Sequence, residues 1–173
     1  RFIGQALGSE ILDRGHHEIQ VAADGRISSP MLKKALIEGI VSTGCDVIDI
    51  GAVPTPVMYF GTHFLESHNG VVITGSHNPK NYNGLKIVID GVTLAQDNIQ
   101  HLYQRLQNQE LHQGEGSVTK TSIVSDYLQH IIDDIAIAKP MKVVIDCGNG
   151  ITGKTAPQLF QGLGCEVVEL YSE

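Results

Sequence analysis

The chain has 173 residues, 42% of them hydrophobic and 18% charged, with a formal net charge of -7 and a pI near 5.5. These proportions describe a globular chain with enough apolar material for a packed core, and the acid excess leaves no basic patch for nucleic acid, so an anionic ligand has to be met by a few locally placed cations. No apolar run approaches the roughly 20 residues of a membrane helix, and residues 1–20 lack the basic start and apolar centre of a signal peptide. Cys45, Cys147 and Cys165 stand singly beside apolar residues, with no C-x-x-C pair, and read as buried thiols. The expectation is a cytoplasmic protein with a small-molecule partner, no nucleic acid and no membrane. Because the chain begins at Arg1 without a methionine and breaks off at Glu173, it is expected to be a piece of a longer one.

Residues 2–14 carry apolar side chains at helical spacing and stop at Gly15, which predicts a first helix with a glycine C-cap. Residues 19–23 are short and apolar and run into Asp24-Gly25-Arg26, a strand ending in a polar turn. Ser29 followed by Pro30 reads as an N-cap with proline at the first helical position, opening a second helix that lasts to Thr43-Gly44. A strand at 46–50, a helix over about 56–66 after two prolines, and a strand at 71–74 complete a β-α-β-α-β rhythm. That rhythm calls for parallel strands, right-handed crossovers and helices on both sheet faces: an α/β fold with a three-layer α/β/α domain and a mixed, mostly parallel sheet.

In such sheets ligands collect outside the carboxyl ends of the strands, and Ser76 lies two residues past the apolar run. Pro79 interrupts the strand and Asn83-Gly84 signals a turn, so Leu85 to Ile89 should return antiparallel. That return carries Lys86 back toward Ser76, on the face opposite Leu85 and Ile87, so a serine and a lysine could share one pocket. A helix is expected at 96–109, a polar loop at 108–120 and a helix at 122–136. After Lys139-Pro140 the pattern restarts with a strand in "MKVVIDCGNG", a helix near 154–163 and a strand at 165–170. This divides the chain into a first domain over 1–138 and the start of a second, similar domain over 139–173, too short for a core of its own.

The stretch "TGSHNPKNYNGLKIV" around Ser76 resembles the active-site serine loop of the α-D-phosphohexomutases, most closely the bacterial phosphomannomutase/phosphoglucomutase branch. "DGRISSP", "VPTP" and "KPMKVVIDCGNG" extend the resemblance in order along the chain. The resemblance implies an isomerase, an intramolecular phosphotransferase of carbohydrate metabolism that interconverts hexose 1-phosphate and hexose 6-phosphate. It makes Ser76 the phosphoryl carrier, a phosphoprotein residue whose phosphate coordinates Mg²⁺, and hexose 1,6-bisphosphate the intermediate and activator. It places Lys86 beside the reacting sugar hydroxyl, where it could assist proton transfer if its pKa is lowered. A phosphoserine brings about -1.5 to -2 charge and needs cations and amide donors, which the glycine-flanked turn can offer.

His77 is a candidate phosphate contact and Arg26 a candidate substrate-anion contact, while Lys80 reads as a solvated charge. The metal carboxylates and sugar-reading segments of the family are not found in this sequence. The expected partners are therefore a sugar phosphate and the remaining domains of the same parent chain, and the piece alone is expected to be inactive. A different function is suggested by "GNGITGKT" at 148–155, which matches the G-x-x-x-x-G-K-[ST] pattern of a nucleotide-binding P-loop between an apolar strand and a helix. A non-catalytic binding module is a third reading. Asp133-Asp134 read as a solvated helix face, and the histidines show no metal-ligand spacing.

Overall fold

A computed structural model describes all 173 residues. The elements run α1 (Phe2–Asp13), β1 (Glu18–Ala23), α2 (Ser29–Val41), β2 (Asp46–Ala52), α3 (Thr55–Phe64), β3 (Gly70–Ile73), β4 (Leu85–Ile89), β5 (Val92–Thr93) and α4 (Asp97–Gln107). They continue with β6 (Val118–Lys120), α5 (Val124–Asp134), β7 (Lys142–Asp146), a 3-10 turn (Ile151–Lys154), α6 (Ala156–Gly162) and β8 (Glu166–Leu170).

Six strands form one sheet in the order β5-β4-β3-β1-β2-β6. β3, β1, β2 and β6 are mutually parallel, whereas β4 is antiparallel to both β3 and β5. The mixed, mostly parallel sheet of the sequence analysis is therefore present. Strand alternation splits its side chains between two cores. Ile19, Val21, Val71, Ile73, Ile87 and Ile89 pack with α1, α2 and Leu102 of α4, while Ala22, Val72 and Val88 pack with Val57 and Met58 of α3 and with Ile123. Each fully buried Val, Leu or Ile of these layers contributes about 1.5–3 kcal/mol relative to exposure.

α1 and α2 approach so closely that glycine is needed at the contact. A Cβ on Gly4 would lie 2.2 Å from the Leu36 carbonyl oxygen, and one on Gly39 2.1 Å from that of Arg1. Polar groups close the same side of the molecule: Arg105 of α4 reaches Glu10 at 3.1 Å and Asp13 at 2.7 Å, with Arg105 and Glu10 both buried.

β7 and β8 form a separate parallel ladder that shares no strand with the main sheet. α6 packs against β8 and also against α5 through Gly162, where a Cβ would meet Ile132 Cδ1 at 2.4 Å.

Four local expectations differ from the structure. Residues 118–120, expected as loop, add β6 to the parallel edge, because the Ser117 N–H and hydroxyl both donate to Asp46 Oδ1, at 2.6 and 2.8 Å. Ser29 does not cap α2; it is the first helical residue, and its hydroxyl donates to Asp24 Oδ1 instead. The helix expected near 154–163 is broken into the 3-10 turn and α6, since Thr155 leaves helical geometry at φ -129°. Cys45 and Cys165 are buried, but Cys147 is only half-buried, at the turn after β7 where the small ladder lacks a covering layer. Burial, followed by the charges of Asp46 and Glu18, pushes the Cys45 thiol up to about 12.

Candidate functional site

The carboxyl ends of β1, β2 and β3 open on one cleft of about 1140 Å³. Asp24, Gly25 and Arg26 follow β1, Pro54 and Thr55 follow β2, and Thr74 and Ser76 follow β3. The far wall is the turn after β7, with Gly148 to Thr152. Gly25 faces Ile151 across the mouth, where a Cβ added at Gly25 would sit 3.7 Å from Ile151 Cβ. A second depression, of about 640 Å³ between Phe2, Tyr103 and the 109–113 segment, contains no serine, lysine or arginine.

Ser76 is exposed in this cleft, and its backbone is left-handed at φ +49°. Non-glycine residues adopt that region at a cost, and they persist there where surrounding bonds over-determine the conformation. Those bonds are visible. The Ser76 N–H donates to Thr74 Oγ1 at 3.0 Å, the Gly75 N–H to Asp24 Oδ2 at 3.1 Å, and the Asn78 N–H to the Gly75 carbonyl at 2.9 Å. Most of the amides expected to face an anion are thus already engaged within the loop. The N–H of His77 is not among them.

Asp24 is the carboxylate of the cleft. Oδ1 accepts from the Arg26 N–H at 3.1 Å and from the Ser29 hydroxyl, and Oδ2 from Arg26 Nε and Gly75, both at 3.1 Å. Burial alone would raise its pKa, but the bonds from Ser29, Arg26, Gly75 and Thr74 together hold it below the usual carboxylate value.

Arg26, expected to meet a substrate anion, is turned into the serine loop. Nε donates to Asp24, Nη1 to the carbonyls of Pro79 at 2.7 Å and Tyr82 at 3.1 Å, and Nη2 to those of Ser76 at 3.1 Å and Asn78 at 2.8 Å. A guanidinium has five N–H donors, so none remains for an anion in this geometry. In this arrangement the side chain expected to contact a substrate anion is engaged by the loop and Asp24.

Lys86 lies opposite Val72 in the β3–β4 ladder, on the α3 face with Val88, and lines the cleft. Lys33 is tied to Asp49 at 2.7 Å, whereas Lys86 and Lys80 make no ion pair within the chain. They are free cations beside an exposed serine in an acidic protein. His77 also lines the cleft and is exposed. The four residues Ser76, His77, Lys86 and Arg26 are therefore brought together along one cleft, with the guanidinium of Arg26 engaged by the serine loop and Asp24. Asp24 and Thr74 were not singled out from sequence; the position of Asp24 at the end of β1 was the available signal.

No group of three or more His, Cys, Asp or Glu side chains gathers where it could hold a metal ion, and both oxygens of Asp24 are occupied by donors. A divalent cation at Ser76 would thus take from these residues only the oxygens of a serine phosphate.

The P-loop-like stretch lacks the cradle that its pattern suggests. The N–H groups of Gly148, Asn149, Gly150, Gly153 and Thr155 donate to Asp146 Oδ1 and to the carbonyls of Tyr171, Cys147, Gly150 and Thr152. The Thr155 hydroxyl is buried and donates to the Thr152 carbonyl. A triphosphate needs those amides free and a Mg²⁺ needs that hydroxyl, so the motif here is a closed turn.

Comparison with known proteins agrees with the serine loop. Residues 1–113 match the family described as phosphoglucomutase/phosphomannomutase, alpha/beta/alpha domain I. A phosphomannomutase/phosphoglucomutase of Pseudomonas aeruginosa is 54% identical over 172 residues, covering 99% of this chain and 37% of the relative. A phosphoglucomutase of Neisseria meningitidis is 38% identical, covering 99% of this chain and 38% of the relative. The crystal structure of a phosphoglucomutase/phosphomannomutase family protein from Burkholderia thailandensis superposes with a TM-score of 0.93 at 41% identity, covering 99% of this chain and 39% of that one. The chain belongs to the phosphoglucomutase/phosphomannomutase family. It spans under two-fifths of the length of these relatives.

Proposed function

We propose that the complete protein interconverts hexose 1-phosphate and hexose 6-phosphate of mannose or glucose, with Ser76 carrying the phosphoryl group. The observation that carries this reading is a serine held in left-handed backbone at the end of β3, exposed to a cleft that also holds the unpaired Lys86. In the first half-reaction the bond from phosphorus to Ser76 Oγ breaks and a bond to the free hydroxyl of the sugar phosphate forms. The hydroxyl loses its proton, Ser76 Oγ takes one up, and a hexose 1,6-bisphosphate results. In the second half the bisphosphate presents its other end: the bond from that phosphorus to its sugar oxygen breaks, a bond to Ser76 Oγ forms, and the proton given up by Ser76 Oγ is matched by the one that restores the sugar hydroxyl. The sum is an isomerisation with no net gain or loss of phosphate or protons. Free bisphosphate primes an unphosphorylated Ser76 by the same second step.

Lys86 hydrogen-bonds the reacting hydroxyl and assists its proton transfer, and His77 contacts the transferring phosphate, which also has the free His77 N–H in reach of the loop. Mg²⁺ bound through the Ser76 phosphate would offset its charge, with its other ligands coming from outside these 173 residues.

Residues 1–138 are taken as the first domain and 139–173 as the start of a second, an arrangement supported by the two separate sheets. The chain by itself is proposed to lack mutase turnover, since the metal carboxylates and sugar contacts must come from further domains of the parent. No helix is long and apolar enough to cross a membrane. The three free cysteines suit a reducing, cytoplasmic setting. The test is turnover of mannose 1-phosphate or glucose 1-phosphate by the complete protein and by Ser76→Ala. Loss of interconversion in the variant supports the proposal, and retained interconversion rejects it.

A further inference from the structure

The nucleophile of the proposed reaction sits in a disfavoured backbone conformation, and one side chain accounts for much of what keeps it there. Arg26 comes from the turn after β1, yet four of its five donors end on the carbonyls of Ser76, Asn78, Pro79 and Tyr82. The fifth ends on Asp24, which in turn accepts the Gly75 N–H. The guanidinium lies flat against the loop: a Cβ on Gly75 would stand 2.2 Å from Arg26 Cζ. Glycine at 75 is therefore demanded by the arginine. The Ser76 peptide is held on both flanks, its carbonyl by Arg26 Nη2 and its N–H by Thr74 Oγ1, which leaves the hydroxymethyl group as its one free part.

We infer that Arg26 is a positioning residue for phosphoryl transfer, fixing the left-handed Ser76 backbone so that Oγ projects into the cleft while making no contact with the substrate itself. The inference rests on the reading of Ser76 as the phosphoryl carrier. In-line transfer depends on the attack geometry, and a displacement of about 1 Å costs on the order of 100-fold in rate. An arginine that bound a substrate phosphate would act on KM instead. Lysine at 26 keeps the charge but loses the planar five-donor fork that spans four carbonyls.

The experiment measures kcat and KM of the complete protein for Arg26→Lys, Arg26→Ala, Gly75→Ala, the double variant Arg26→Ala/Gly75→Ala and Ser76→Ala, with circular dichroism as a check on folding. Arg26→Lys is expected to lower kcat by about 100-fold with KM little changed. Added guanidinium ion, at concentrations below those that unfold the protein, should restore part of the kcat of Arg26→Ala. Gly75→Ala alone should lose about as much kcat as Arg26→Ala, and the double variant no more than Arg26→Ala, because removing the guanidinium removes the clash. A raised KM with wild-type kcat in Arg26→Lys would overturn the inference, as would wild-type kcat beside an inactive Ser76→Ala. Turnover retained by Ser76→Ala would instead overturn the reading of Ser76 on which the inference rests.

Discussion

The Gly75 N–H donates to Asp24 Oδ2 at 3.1 Å, joining the turn after β1 to the serine turn after β3 across 51 positions of sequence. Asp24 is held ionised by hydrogen bonds that outweigh its burial, and its pKa lies below the ordinary 3.8. A carboxylate depressed in the folded state adds stability above its unfolded pKa, and that stability disappears as pH falls through the folded value. Asp13, with the His112 bond the largest cause and Arg105 next, and Asp90, with His16 and then Arg14, are depressed in the same sense. The urea midpoint of the protein should therefore fall as pH drops below about 4. Asp24→Asn should cost about 1–3 kcal/mol at neutral pH and flatten that acid limb. A midpoint that stays level on acidification to about pH 3 would contradict the assignment.

The pair Glu10–Arg105 makes a separate prediction, about stability alone. Glu10 Oε2 stands 3.1 Å from Arg105 Nη2, and both residues are less than a tenth exposed. Removing Arg105 takes a cation from buried Glu10, which keeps Arg14 at 2.8 Å, and from Asp13, and costs about 3 kcal/mol. Arg105→Met should lose that much in urea unfolding, while the double variant Glu10→Leu/Arg105→Met should recover most of it. A double variant as unstable as the single one would argue against the pair as the source of the loss.

Much of the fold was legible before the structure because its signals are local and repeated. Valine and isoleucine runs bounded by glycine and proline located β1 to β4, and Asn83-Gly84 announced the antiparallel return that places Lys86 opposite Val72. β6 was not legible: three residues carry no period, and what holds them is Asp46, some 71 positions away. The same limit applied at the site. Ser76 and Lys86 were marked by their places relative to strand ends, whereas the role of Arg26 depends on where a long side chain turns. A sequence specifies that direction only through contacts with the folded loop.

α1 and α2 offer a packing test. With a Gly39 Cβ only 2.1 Å from the Arg1 carbonyl oxygen, Gly39→Ala must push the two helices apart. Overpacking of this kind costs about 1–3 kcal/mol. Thermal unfolding should show a lowered midpoint for Gly39→Ala and a neutral or slightly raised one for Ala at Gln5, an exchange without such a clash. Equal midpoints for Gly39→Ala and the unaltered chain would refute the close contact.

Lys86 should separate chemistry from folding. Because it makes no ion pair in the chain, Lys86→Met is expected to leave the melting temperature close to that of the unaltered protein. In the complete protein it should lower kcat by about 100-fold or more, with little rescue in Lys86→Arg, whose charge sits on a differently shaped head. Unchanged kcat in Lys86→Met would remove it from the proposed reaction.

The most direct measurement is the fate of the phosphoryl group itself. The complete protein, stripped of phosphate, is incubated with hexose 1,6-bisphosphate bearing isotopically labelled phosphoryl groups, digested and mapped by mass spectrometry. The expected result is one labelled phosphate on Ser76, lost to added hexose 1-phosphate or 6-phosphate at a rate no slower than turnover, and none in Ser76→Ala. Turnover without label on Ser76, or label on another residue exchanging at the rate of turnover, would contradict it.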